Sequence, residues 1–165
     1  TRKLLPWTIA LLLASPLLAA ATKPGVHAVA SAQHLATEAG LEILAAGGNA
    51  FDAAVAVSAA LGVVEPSSSG FGGGGFWLLH RARDGKQVFV DGREVAPKAV
   101  DARLYLDKDG NLDRDKSVNG ALAAGIPGHP AALVHIARKY GRLPLKRSLA
   151  PAIRLARRGF VLDQG

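Results

Sequence analysis

The sequence predicts an α+β fold in which buried helices pack against an antiparallel β-hairpin. Apolar residues recur at helical spacing before and after two short, alternating stretches, 76–82 and 87–91. Asp84 and Gly85 lie between these stretches, and this dipeptide is typical of a tight hairpin turn. The chain has 165 residues, of which 49% are hydrophobic and 20% charged, so it is long enough for one domain with its own core.

The segment before the hairpin is predicted to begin with a strand and a helix. A short apolar run at 25–30 is a candidate strand. Ser31 can cap a helix that runs to about Ala46, because Leu35, Ala39 and Ile43 fall on one face. Two glycines follow Ala46 and are a typical stop signal for a helix.

The second helix is predicted to be buried. Asn49 or Asp52 can cap it, and it continues to about Leu61. Residues 53–61 are alanine, valine and leucine except for Ser58, so the helix is apolar on every side. A helix of this kind is expected in the core of a domain, where alanine permits close helix packing.

Two more helices are predicted after the hairpin. The stretch 101–117 is polar and is read as loop, and a helix follows over 129–140. Ser148 can cap a last helix that ends at Gly159, with Pro151 tolerated in its first turn. The fold is therefore expected to place helices on both sides of the hairpin in sequence.

Composition argues against several function classes. Lys and Arg total 20 against 13 Asp and Glu, a formal net charge of +7, but the basic residues are scattered or grouped as on a solvated helix face. We therefore expect no nucleic-acid partner. The chain has no cysteine, which excludes disulfides, a thiolate zinc site and a cysteine nucleophile.

No metal or cofactor site is expected. The acidic residues between Asp107 and Asp115 resemble a calcium loop, but the glutamate that would close such a loop is absent and a solvated turn is expected instead. The five histidines lack metal-ligand spacing and are read as structural or solvent-facing: His27, His34, His80, His129 and His135.

The first 21 residues are predicted to be an export signal. Arg2-Lys3 forms the charged region, Leu4–Leu18 the apolar region, and Ala19-Ala20-Ala21 the cleavage site. A membrane anchor is the alternative, but the apolar run is short and contains two prolines. We expect residues 22–165 to reach the periplasm or the exterior, without stable membrane association after cleavage.

The candidate site combines the glycine run Gly70–Gly75 with Arg93. A fold keeps such a run where the backbone must approach something closely, and a nearby arginine can hold a carboxylate with two parallel hydrogen bonds. Together they indicate a pocket for a small anion. The alternatives are a packing loop and a surface arginine paired with Glu94 or Asp91. A phosphate loop is excluded because Phe76 and a strand follow the run.

The chain offers no credible catalytic nucleophile. Thr1 belongs to the predicted export signal, and Ser67-Ser68-Ser69 lack the Gly-x-Ser-x-Gly elbow. On its residues alone, the chain therefore holds part of a binding site and no catalytic residue.

Several motifs, in order from Gly25 to the end of the chain, resemble the gamma-glutamyltranspeptidases. They are 47–56 (GGNAFDAAVA), 64–76 (VEPSSSGFGGGGF), 91–97 (DGREVAP), 125–128 (GIPG), Tyr140-Gly141, Leu143-Pro144, 151–156 (PAIRLA) and Gly159-Phe160. The resemblance implies a four-layer αββα N-terminal-nucleophile hydrolase, with residues 22–165 forming the first part of the large subunit.

The resemblance also implies a function. Members of the family cut themselves into two subunits, and the new N-terminal threonine of the small subunit attacks gamma-glutamyl amides such as glutathione. A gamma-glutamyl acyl-enzyme forms, and the group passes to an amino acid or water. Arg93 matches the arginine that holds the substrate α-carboxylate. The small subunit is thus the expected protein partner, and the threonine lies outside this chain. The alternatives are a related cephalosporin-type acylase and a non-catalytic exported binding protein.

Overall fold

A computed structural model of the protein describes residues 27–162 and confirms a mixed α+β fold. The predicted export signal, residues 1–21, lies outside the described residues. The elements in chain order are α1 (His34–Ala45), α2 (Ala50–Val64), β1 (Phe76–Arg81), β2 (Lys86–Asp91), α3 (Arg114–Val118), a 3₁₀ turn (Ala121–Ala123), α4 (His129–Tyr140) and α5 (Leu145–Arg158). Among these helices none has the length and apolarity needed to cross a bilayer.

The start of α1 differs from the sequence prediction. The described part of the candidate first strand, 27–30, is neither helix nor strand, because no described segment pairs with it. Gln33 caps the helix in place of Ser31, since its side-chain oxygen accepts from the Leu35 amide at 2.6 Å. Ser31 is engaged elsewhere and donates its hydroxyl to the Gln33 carbonyl at 2.9 Å.

The N-terminus of α2 is fixed by a capping box that uses both predicted residues. The Asn49 side chain accepts from the Phe51 and Asp52 amides, and Asp52 accepts from the Asn49 amide at 2.9 Å. Asp52 is fully buried and also accepts from the amides of Arg142 at 2.9 Å and Leu143 at 3.2 Å. This one carboxylate therefore joins the start of α2 to the α4–α5 loop.

The core is built around α2, as its apolar sequence predicts. The helix packs against α1, α4 and α5, and Val55, Ala56 and Ala59 are fully buried. It is three residues longer than predicted and ends at Val64. Small side chains allow these helices to approach closely, so burial of apolar surface stabilises the bundle.

The hairpin has one face toward this core and one exposed face. β1 and β2 pair antiparallel, with Phe76 opposite Asp91 and Arg81 opposite Lys86, and they are the only strands among residues 27–162. Leu79 is buried in the core cluster, and Trp77 and two valines of β2 pack against it. The exposed face carries Phe76, Leu78 and Phe89.

The end of the chain also departs from the prediction. Helix α5 begins at Leu145 after Pro144, so Ser148 is an interior helical residue and does not cap the helix. Pro151 consequently lies in the middle of α5 and not in its first turn. Ser148 is fully buried, and its hydroxyl has no hydrogen-bond partner among the described residues.

Candidate functional site

The glycine run approaches the chain just beyond β2 more closely than any side chain would permit. Gly75 and Gly92 exchange two backbone hydrogen bonds, of 3.2 and 2.9 Å, which extend the hairpin pairing by one step. A methyl group on Gly74 would lie 2.6 Å from the Gly92 carbonyl oxygen and 2.8 Å from Cα of Arg93. The glycine run therefore makes the close approach that was expected of it, and it does so against the backbone of residues 92–94.

A third segment, at the N-terminus of α4, closes on the same place. A methyl group on Gly128 would lie 2.3 Å from the carbonyl oxygens of both Gly92 and Arg93. The amide of His129 donates to the Gly73 carbonyl at 3.2 Å. Three chain segments thus meet around Arg93, and each contributes a contact that involves backbone atoms.

Arg93 itself is held by its neighbours while its side chain remains in solvent. Its amide donates to Asp91 Oδ1 at 2.9 Å, and its Nε lies 3.2 Å from Glu94 Oε2. The Arg93 side chain is 67% exposed, so this ion pair contributes little stability. The structure thus contains the surface pair with Glu94 that was the alternative reading of this arginine. Because a guanidinium has five N–H donors, this pair leaves other donors that can bind a substrate carboxylate.

Glu94 connects Arg93 to the glycine run. Its carboxylate lies over the run, since a methyl group on Gly74 would come within 2.9 Å of Oε2 and one on Gly73 within 3.3 Å of Oε1. Side chains at these two positions would displace Glu94, which is the ion-pair partner of Arg93. The glycines therefore influence the orientation of the arginine through Glu94 and the Arg93 backbone.

A groove of about 510 Å³ lies between β2 and α4 and is lined in part by Arg93. Its other lining residues include Asp91 and Phe89 on the strand side and His135 on the helix side. Grooves of several hundred Å³ accommodate small ligands. The arrangement can hold a small anion at the Arg93 end, next to apolar surface.

The histidines are structural or solvent-facing, as the sequence predicts. His27, His34, His80 and His135 are exposed, whereas His129 is 7% exposed and packed against aromatic rings. No cluster of three or more potential metal ligands occurs within residues 27–162. Asp107 accepts from the amides of Asn111 and Asp109, which lowers the pKa of its carboxyl. The hydrogen bonds of this carboxyl are thus made within the acidic turn itself.

Comparison with known protein sequences identifies a family. The family model described as gamma-glutamyltranspeptidase matches residues 36–165. The glutathione hydrolase proenzyme of Pseudomonas sp. (strain A14) is 49% identical over 137 residues, which are 83% of this chain and 24% of that protein. The chain spans about a quarter of the length of the curated relatives it matches.

Solved structures agree. The crystal structure of Helicobacter pylori gamma-glutamyltranspeptidase has a TM-score of 0.82 at 42% identity and covers 87% of this chain and 41% of that one. Cephalosporin acylase from Bacillus halodurans has a TM-score of 0.67 at 38% identity and covers 79% of this chain and 24% of that one. The family match, the identity to curated relatives and the shared fold show that the chain belongs to the gamma-glutamyltranspeptidase family.

Proposed function

We propose that the complete protein is a gamma-glutamyltransferase and glutathione hydrolase, and that this chain supplies the scaffold and the clamp for the substrate carboxylate. The observation that carries the proposal is Arg93, which lies in a family motif, has an exposed side chain and lines the groove between β2 and α4. In this proposal the preferred substrates of the complete protein are gamma-glutamyl compounds such as glutathione.

The proposed role of Arg93 follows from the geometry of its side chain. A guanidinium can donate two parallel hydrogen bonds to a carboxylate, and a lysine ammonium cannot reproduce that arrangement. The α-carboxylate of a gamma-glutamyl group is a planar acceptor of this kind. Fixing it would hold the scissile amide at a constant distance from the nucleophile, which lowers the entropic part of the barrier.

The proposed chemistry uses a threonine that lies outside this chain. The precursor would cut itself, and the new N-terminal threonine of the small subunit would attack the gamma-glutamyl carbonyl carbon with its hydroxyl oxygen. The amide C–N bond then breaks and the amine leaves with a proton, which gives a gamma-glutamyl ester. The α-amino group of the same residue can serve as the base. Water or an amino acid then takes the acyl group.

The proposed complete fold is the four-layer αββα arrangement, of which residues 27–162 would form one part. Two features of the hairpin support this. Both strands have a free edge within the described residues, so further strands can pair there. The exposed face carries Phe76, Leu78 and Phe89, which are 56%, 71% and 60% exposed, and a second sheet would bury them.

We also propose export. Residues 1–21 would be removed after Ala21, and the mature protein would begin at Thr22 in the periplasm or outside the cell. Mass analysis of the mature N-terminus checks this step. Recovery of Leu4–Leu18 in membrane-bound protein would support the anchor alternative.

A cephalosporin-type acylase is the second candidate, because such an enzyme shares the fold of this chain. The higher TM-score and identity to a gamma-glutamyltranspeptidase favour the first candidate. The two candidates differ in the acyl group they accept, since a glutaryl-type amide lacks the α-amino group of a gamma-glutamyl amide.

The test is to express the complete protein and compare hydrolysis of gamma-glutamyl-p-nitroanilide with that of glutaryl-type amides. We expect processing into two subunits, preference for the gamma-glutamyl donor, and a mass increase of one gamma-glutamyl group on the small subunit during turnover. Residues 22–165 alone should give no hydrolysis above background. Preference for the glutaryl amide would favour the acylase, and an unprocessed, inactive protein would favour the binding-protein alternative.

A further inference from the structure

His129 is the only histidine buried among residues 27–162, and it contacts the glycine run through both its backbone and its ring. The ring Nδ1 lies 3.0 Å from the Gly70 carbonyl oxygen, and the amide donates to the Gly73 carbonyl at 3.2 Å. One residue at the start of α4 therefore binds the run at two points, three residues apart.

The direction of the ring hydrogen bond follows from its acceptor. A carbonyl oxygen can only accept, so Nδ1 must carry the proton and donate it to Gly70. The ring also stacks on Phe71 with a centroid distance of 5.3 Å and meets Trp77 at 5.4 Å. These contacts fix the plane of the imidazole, and its other nitrogen, Nε2, has no partner among the described residues.

The run held by His129 is the segment that packs against the backbone around Arg93. Gly75 pairs with Gly92, and Gly74 lies so close to Arg93 that a methyl group would reach 2.8 Å from its Cα. Glu94, the ion-pair partner of Arg93, lies over the same glycines. A shift of the run away from α4 would therefore change the position of the arginine.

We propose that His129 is a positioning residue for the carboxylate clamp: its Nδ1–H anchors Gly70 and so holds the glycine run against the segment that carries Arg93. This inference rests on the proposed function, because its effect is read through recognition of the gamma-glutamyl carboxylate. His129 does not touch the substrate in this scheme and acts only through the run and Arg93.

Three substitutions in the complete enzyme separate the ring hydrogen bond from packing. His129→Asn places an amide N–H near the position of Nδ1 and can keep the bond to Gly70. His129→Gln places its amide nearer the position of Nε2 and loses that bond, whereas His129→Phe keeps an aromatic ring without any donor. We expect the Gln and Phe variants to raise KM for gamma-glutamyl-p-nitroanilide about five- to tenfold, and the Asn variant to stay within about twofold of wild type.

A double-mutant cycle with Arg93→Ala shows whether His129 acts through the clamp. If it does, His129→Phe should raise KM in the wild-type background and leave it nearly unchanged when Arg93 is already absent. A purely structural role would instead impair both backgrounds equally. The melting temperature of each variant, measured in parallel, identifies any variant that fails to fold, and the Asn and Gln pair then carries the comparison.

Each outcome of these experiments either supports or overturns the role of His129. Loss of donor affinity in the Gln variant, rescue in the Asn variant and non-additivity with Arg93→Ala support the inference. Equal impairment in Asn and Gln variants, or additive effects in the cycle, overturns it while leaving the proposed function intact. An Arg93→Ala enzyme with wild-type KM overturns the clamp role of Arg93 and this inference with it. A wild-type protein that does not cleave gamma-glutamyl amides overturns the proposed function and this inference together.

Discussion

Replacement of Gly74 by alanine is expected to damage substrate binding through a single methyl group. That group would lie 2.6 Å from the Gly92 carbonyl oxygen and 2.9 Å from Glu94 Oε2, and the former is about 0.8 Å inside ordinary contact distance. The obstructing atoms near 2.6–2.8 Å are backbone atoms, so no flexible side chain can move aside. The run and the Arg93 segment must therefore separate.

The expected size of the effect follows from that displacement. Forcing an extra methyl into a packed contact costs about 1–3 kcal/mol of stability. A misplacement near 1 Å in a substrate-positioning element can lower kcat/KM by up to about a hundredfold. We expect Gly74→Ala to lower the melting temperature of the complete enzyme and to raise KM for gamma-glutamyl-p-nitroanilide by at least about tenfold.

Gly72→Ala provides the matched control within the same run. A methyl group on Gly72 would meet nothing within 4 Å, and its backbone is not in the left-handed region. This variant should keep both the melting temperature and KM of wild type. Equal behaviour of the two variants, whether both are normal or both impaired, would refute the argument that close packing at Gly74 sets the position of Arg93.

Three further predictions concern the scaffold. Asp52→Asn should lower the free energy of unfolding by about 2–4 kcal/mol, because an amide nitrogen would face backbone N–H donors that the buried carboxylate now satisfies. Chemical denaturation measures the loss, and an unfolding midpoint equal to that of wild type would contradict it. Ser148→Ala should be neutral or raise stability by up to about 1 kcal/mol in the same assay, because it removes a buried hydroxyl that has no hydrogen-bond partner among residues 27–162. A clear loss of stability would contradict this prediction. The hydrogen bonds from Arg81 lower the pKa of the Asp84 carboxyl. This pair therefore stabilises the hairpin turn at pH values above the ordinary carboxyl pKa, and the stabilisation is lost as the pH falls through the lowered pKa. An NMR titration should show a higher Asp84 pKa in Arg81→Ala.

Local patterns predicted the helices and the hairpin well, because the relevant contacts are close in sequence. Helix α4 was predicted at its observed bounds, and the turn between β1 and β2 followed from Asp84-Gly85. The cap of α2 was predicted to be Asn49 or Asp52; Asn49 is the N-cap in the structure, and Asp52 completes a capping box that was not predicted. These features depend on residues within one or two turns of each other.

The errors arose where a nearby alternative competed with a plausible cap. Ser31 and Ser148 both had the side chain of a helix cap, but Gln33 and Pro144 occupy those positions. The short helix α3 was missed inside a stretch read as loop, although Asp113 caps it by accepting from two following amides. Its signal was an aspartate before a few helix-compatible residues, too short to distinguish from a turn.

The site was predicted only in part, because its assembly depends on contacts distant in sequence. The glycine run and Arg93 were singled out from residue type and from their positions before and after the predicted hairpin, and the structure brings them together. The link between His129 and Gly70 spans 59 residues, and no local pattern indicates it. The motif at 125–128 was recognised from the sequence, but only the fold shows that Gly128 packs closely against the backbone of Gly92 and Arg93.

Substitution of Arg93 in the complete enzyme tests the central claim most directly. Arg93→Ala should undergo normal processing into two subunits and lose about ten- to a hundredfold in kcat/KM for gamma-glutamyl-p-nitroanilide, mainly through KM, because about 1.5–3 kcal/mol of charge-assisted hydrogen bonding to the α-carboxylate is removed. Arg93→Lys should recover only part of the loss, since an ammonium restores charge without the two-pronged geometry. A processed Arg93→Ala enzyme with wild-type KM would show that Arg93 is only the surface partner of Glu94. Failure of processing would assign the residue to folding and contradict the clamp.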